Sequence, residues 1–219
     1  MAISKFNYNS FNVTPVAGKA LSFNSDADGF TTQGASSMVL IKTLTASSSG
    51  TLSFVDGASS VVLDDTYPVY LFKIINLHPG TDNVEFQVNF RDGSTDYDAT
   101  KTSTFFRALH DEADSTTALA YRTGGDLAQG TGFQRLNEGI GNNGDQSVSG
   151  ELTLFNPSST TFVKHFMGKF SGCNAGDRED TTYVAGYCNV TAAIDAVQFK
   201  MNSGNIDAGQ IKLYGIKDS

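Results

Sequence analysis

At 219 residues, 39% of them hydrophobic and only 17% charged, the chain can fill one sizeable core, with a surface built on Ser, Thr, Asn, Asp and Gly. A net charge of −8, with 15 basic residues scattered singly, excludes the concentrated positive footprint of a nucleic-acid binder. No run approaches the ~20 apolar residues of a membrane-spanning helix, and the start Met1-Ala-Ile-Ser-Lys5 lacks the apolar stretch of a secretory signal, so membrane insertion is not expected.

Residues 1–37 carry no regular period. Phe6, Tyr8 and Phe11 alternate loosely among Asn and Ser, and three aromatics on a polar segment need a surface to pack on. The segment therefore reads as an extended N-terminal arm that folds back on its own domain or docks on a partner, with Phe6, Tyr8 and Phe11 as the candidate docking residues in the second case. Asn24, Asp26 and Asp28 followed by Gly29 begin like a calcium loop. The twelfth position, where a bidentate Glu belongs, is Ala35, so an Asx-rich turn is the reading.

From residue 38 to the end the pattern is that of strands. Residues 38–45 form one, closed by a Ser-rich turn, and residues 51–55 alternate with Leu52 and Phe54 on one face. The run 67–79 is the most continuously apolar of the chain, rich in Tyr, Phe and Ile and bracketed by Pro68 and Pro79. It reads as a central strand buried on both faces. Residues 84–90 place Val84, Phe86, Val88 and Phe90 on one face and Glu85, Gln87 and Asn89 on the other. Residues 102–108 follow.

The stretch 109–146 is long, polar and glycine-rich, with a short element expected near Ala118 and Tyr121. So long an irregular region is unusual in one domain, which makes it a candidate contact surface. Strands resume over 147–155, 161–167, 181–188, 194–201 and 210–216. About ten strands at this spacing, with almost no helical signal, predict an all-β fold. The expected architecture is an antiparallel β-sandwich or jelly roll over 38–219 with the arm attached.

Catalytic signals are weak. Residues 139–144 match G-x-G-x-x-G but lead into a strand rather than a helix, so they read as a glycine-rich loop. His78, His110 and His165 lie on separate elements, and no nucleophile elbow occurs. Asp177, Glu179 and Asp180 around Arg178 read as a solvated loop. No catalytic residue, cofactor or metal site is expected. Cys173 and Cys188 flank that acidic loop and are a possible disulfide across a hairpin; closing about fifteen residues would contribute ~3 kcal/mol.

Several segments resemble virion structural proteins of tailed phages of the marine cyanophage type. They are Leu63-Asp-Asp-Thr-Tyr-Pro-Val-Tyr70 leading into Ile75-Asn-Leu-His-Pro79, Thr104-Phe-Phe-Arg-Ala108, Leu154-Phe-Asn-Pro-Ser-Ser-Thr-Thr161, and the terminal Ser203-Gly-Asn-Ile-Asp-Ala-Gly-Gln-Ile-Lys-Leu-Tyr-Gly-Ile216. The resemblance implies a non-enzymatic exterior β-module, a capsid decoration or a tail-fibre or baseplate component. Its partners would be other virion proteins and further copies of itself, as a homo-oligomer and in a fibre a trimer. It implies assembly in the host cytoplasm and release by lysis. The alternative is a carbohydrate- or receptor-binding module that meets host surface glycan through Tyr97, Tyr121, Tyr183 and Tyr187.

Overall fold

Alternation of large apolar side chains with Thr, Ser, Lys and Gln favours pleated backbone, because each residue type then faces one side of a sheet. The computed structural model describes residues 20–23, 30–33 and 37–217, and among them lie fourteen strands and no helix. Two short strands, β1 (Ala20–Phe23) and β2 (Phe30–Gln33), pair only with each other, and the rings of Phe23 and Phe30 stack 5.0 Å apart. Phe6, Tyr8, Phe11 and the turn around Asp26 lie outside the described residues.

The other strands are β3 (Met38–Thr45), β4 (Leu52–Val55), β5 (Val69–Pro79), β6 (Val84–Arg91), β7 (Lys101–Asp111), β8 (Thr117–Tyr121), β9 (Gln134–Ile140), β10 (Val148–Phe155), β11 (Lys164–Asn174), β12 (Arg178–Cys188), β13 (Ala196–Met201) and β14 (Ile206–Ile216). They form two antiparallel layers. The wide layer runs β3-β14-β5-β10-β11-β12-β7-β8, and the narrow layer runs β9-β6-β13-β4. One pairing, Asn174 with Ile140, joins them at a corner. The result is the expected all-β sandwich.

The core between the layers is largely aromatic. Phe72 of the wide layer sits 5.3 Å from Phe54 and 5.4 Å from Phe199 of the narrow one, and Phe90 lies 5.2 Å from Phe166. These rings are fully buried and meet mostly at steep angles, the arrangement their quadrupoles favour. Glycines make room for them. A Cβ on Gly186 would lie 2.8 Å from the Phe166 ring and 2.5 Å from the Thr102 carbonyl oxygen, so only glycine fits there.

Four readings of the sequence need correction. The run through β5 is central, between β14 and β10, but it is buried on one face only. Tyr70, Phe72, Ile74 and Leu77 point into the core, while Val69 and Leu71 are half-buried and Ile75 is exposed on the other side. The stretch 109–146 is not one unbroken irregular region: β7 continues to Asp111, β8 is the short element expected near Ala118 and Tyr121, and β9, an unexpected strand, forms an edge of the narrow layer. The 177–180 segment is not a solvated loop, because Glu179 and Asp180 belong to β12 and Asp180 is wholly buried.

The proposed Cys173–Cys188 disulfide is excluded by register. Cys173 pairs with Glu179 beside the turn, and Cys188 pairs with Lys164 at the far end of the same hairpin, about 30 Å away at the rise of a strand. Both are free thiols.

Candidate functional site

A sheet that is apolar on both faces needs two covers, and the narrow layer supplies one. The outer face of the wide layer is built row by row from cross-strand partners. One row runs Leu40, Tyr214, Leu71, Thr153, Met167, Ala185, Thr104; a parallel row begins Met38, Ile216, Val69, Phe155. Leu40 is 51% exposed and Met167 56%. Towards the β8 edge, Tyr183, Phe106 and Tyr121 stand side by side in register, with Leu119 beyond them at 75% exposure.

The face is indented where its residues are small. Two shallow troughs of about 460 and 400 Å³ meet at Thr104, Met167 and Ala185. The first is walled by Phe106, Tyr183 and Phe155, and the second by His165 and Tyr187. Phe106 and Tyr183 stack with centroids 4.9 Å apart, and the Lys169 ammonium lies 5.5 Å from the Tyr183 ring, a cation–π contact. A single charged row crosses this surface, in which Lys73 pairs with Glu151 beside Lys169. Such a surface offers apolar area, aromatic rings and a few charges to set register, which is the composition of a recognition patch.

The β8 edge adds to it. Every residue of β8 is exposed, and it pairs only with β7, so its outer backbone groups are open to another strand. The β7–β8 turn is held firmly: Asp111 accepts from the backbone N–H groups of Ser115 (2.7 Å) and Thr116 (2.9 Å), and these bonds with the Ser115 hydroxyl hold its carboxyl down to about 2.

Of the candidate glycan tyrosines, Tyr121, Tyr183 and Tyr187 fall on this outer face, whereas Tyr97 lies in the loop after β6, near Arg91 at 6.0 Å. The histidines stay on separate strands, and His110 pairs with Asp114 at 3.2 Å on the surface. Among the described residues no group of three or more His, Cys, Asp or Glu could hold a metal ion.

The second cysteine has an unusual setting. Lys164, Cys188 and Lys101 occupy one cross-strand row on the inner face, all with no exposure. Burial pushes the Cys188 thiol up to about 12 and pulls the Lys101 ammonium down to about 8. Lys101 donates to Asn89 Oδ1 and to the Ala99 carbonyl, both at 2.6 Å, and Lys164 donates to the Val190 carbonyl at 2.9 Å. Sequence reasoning missed this cluster because lysines in strands are expected to face water. Burial also raises Cys173, and carboxylates around it, including Glu112, add to the shift. Comparison of the chain with protein-family models, curated proteins and solved structures finds no match.

Proposed function

We propose that this protein is a non-enzymatic structural component of a virion of the tailed-phage type. In this reading it is an exterior β-module that joins neighbouring virion proteins, and further copies of itself, through the outer face of the wide layer. The observation that carries the reading is the one-sided burial of the central strands: β5, β14 and β10 bring Val69, Leu71, Tyr214 and Phe155 to a face that the described chain leaves open. A standard interface removes about 1,200–2,000 Å² from water, and an eight-stranded layer is wide enough to supply its half. The low charge of the surface and the segments resembling phage virion proteins favour the same reading. The arm 1–37 supplies a second contact, and release by lysis accounts for the exposure of such a module.

The test is assembly. Light scattering on the pure protein is expected to give a stable oligomer, a trimer for a fibre or three-fold site, and the double variant Leu40→Asp with Met167→Asp is expected to be a folded monomer that no longer co-sediments with particles. A wild-type monomer at about 100 μM, or normal incorporation of the double variant, would overturn it.

A further inference from the structure

The sequence holds five arginines and ten lysines, yet four of the five arginines meet in one place. Arg107 of β7, Arg122 just after β8, Arg135 of β9 and Arg178 at the start of β12 line a pocket of about 370 Å³ with Glu85 and Glu138. It opens at the end of the sandwich where the corner pairing of Asn174 and Ile140 joins the two layers. No lysine and no apolar side chain forms its wall.

The charges do not cancel. Glu138, only 8% exposed, accepts from Arg122 Nε at 2.9 Å and Arg135 Nη1 at 2.7 Å and is ion-paired with Arg107 Nη1 at 2.7 Å. Glu85 pairs with Arg135 Nη2, and the buried Asp180 lies behind at 3.5 Å from Arg107 Nη1. Four guanidiniums thus face three carboxylates. Burial raises the Asp180 carboxyl from its ordinary value, against the pull of its hydrogen bond from Asn174 and of the Arg107 and Arg178 charges.

Donors are left over as well. Each guanidinium has five N–H groups in a planar fork. Arg122 commits only its Nε, and Arg178 only one Nη2 contact, to Asn174 Oδ1 at 3.5 Å. The Nε atoms of Arg135 and Arg178 are buried with no hydrogen-bond partner. A network serving only to hold strands together would close on itself, since unpaired buried donors cost stability.

The backbone here is shaped around the pocket. Gly139, at φ +71°, lets β9 end against Asn174, where a Cβ would come within 2.8 Å of the amide nitrogen. Two asparagines complete the wall. Asn202 Oδ1 accepts from the Glu85 backbone N–H at 2.9 Å, which leaves its amino group uncommitted, and the Asn83 amide has no hydrogen-bond partner among the described residues.

We infer that this pocket binds an acidic saccharide, a hydroxyl-bearing ring that carries one carboxylate. The spare guanidinium forks match a carboxylate in two-bond geometry, as compact ammonium groups would not. The amides of Asn83 and Asn202 and the free acceptor capacity of Glu85 and Glu138 suit ring hydroxyls, and a wall without apolar side chains suits a ligand that is polar all round. The volume fits a ring of that size. A chain of net charge −8 repels a dense polyanion, so one acidic group at a time is the expected guest. The inference does not rest on the docking role of the outer face, which lies on other residues.

Calorimetry on the full chain decides it, with trigalacturonate as probe and its neutral counterpart galactotriose, inorganic sulfate and a triglutamate peptide as comparisons. The uronide is expected to bind with a dissociation constant at or below about 1 mM, to weaken between 50 and 200 mM salt by about threefold or more, and to be displaced by excess sulfate. Arg122→Gln and Arg178→Gln are each expected to weaken it at least about tenfold, and Arg122→Lys, which keeps charge but loses the fork, nearly as much. Lys212→Gln, the same charge change on the outer face, is expected to leave binding unchanged. Failure to bind the uronide at about 10 mM, equal binding of galactotriose or triglutamate, or unaltered binding in all three arginine variants would overturn the inference.

Discussion

Phe166 and Met167 are neighbours on β11 and meet opposite fates. Phe166 points between the layers and is wholly buried against Phe90, while Met167 points outward and is 56% exposed beside a trough. Both are large and apolar, so composition alone assigns them the same role. The difference teaches that hydrophobicity states how much surface wants a cover, and topology states whether this chain or another provides it.

The largest effect that sharpens this contrast lies in the core. Phe166→Ala is expected to cost about 3–5 kcal/mol in urea unfolding, because a fully buried ring leaves a cavity. Met167→Ala is expected to change unfolding by less than about 0.5 kcal/mol while weakening self-association in sedimentation. Equal destabilisation by both would erase the distinction between the faces.

A second, smaller effect tests the charged end of the sandwich. Glu138→Gln removes the carboxylate shared by three arginines and is expected to cost about 3 kcal/mol, read as a lowered urea midpoint. An unchanged midpoint would mean that the guanidiniums are held by the backbone alone.

The smallest effect concerns Lys101. Its folded-state value of about 8 lies below the ordinary lysine value of about 10, so between the two the unfolded chain binds more protons. Stability therefore rises as pH increases through that window, and the contribution is lost as pH falls through about 8. The Cys188 thiol, held protonated up to about 12, acts oppositely above the usual thiol range, where folding holds the extra proton. Unfolding free energy measured from pH 7.5 to about 9 should thus slope upward in the wild type and clearly less so in Lys101→Met, where Lys164 and Cys188 remain. A slope that the substitution leaves unchanged would assign it to another group.

The strands that alternate cleanly were readable from sequence. Residues 84–90 placed Val84, Phe86, Val88 and Phe90 inward, and all four are buried. By contrast, β9 was hidden because Gln134, Asn137 and Glu138 are buried polar residues that break the hydrophobic period. Asp180 was misread because the charged residues just before it, Asp177, Arg178 and Glu179, suggested water, although Asp180, Thr182 and Val184 share the inward face of β12. The cysteines misled because the hairpin turn lies next to Cys173 rather than midway to Cys188. The arginine pocket is illegible in sequence for a topological reason: its four arginines come from four separate strands or their ends, and nothing local marks their convergence.

One pairing has a mechanical corollary. Met38, the first residue of β3, lies opposite Ile216, the last of β14, and the Lys217 N–H donates to the Ser37 carbonyl at 2.8 Å. The chain thus leaves the sandwich at two adjacent points on one edge. Tension applied at residues 37 and 217 peels β3 from β14 like a zipper, one rung after another, instead of shearing every rung together. The same closeness lets the body be spliced into a loop of another protein as a cassette with almost no gap to bridge.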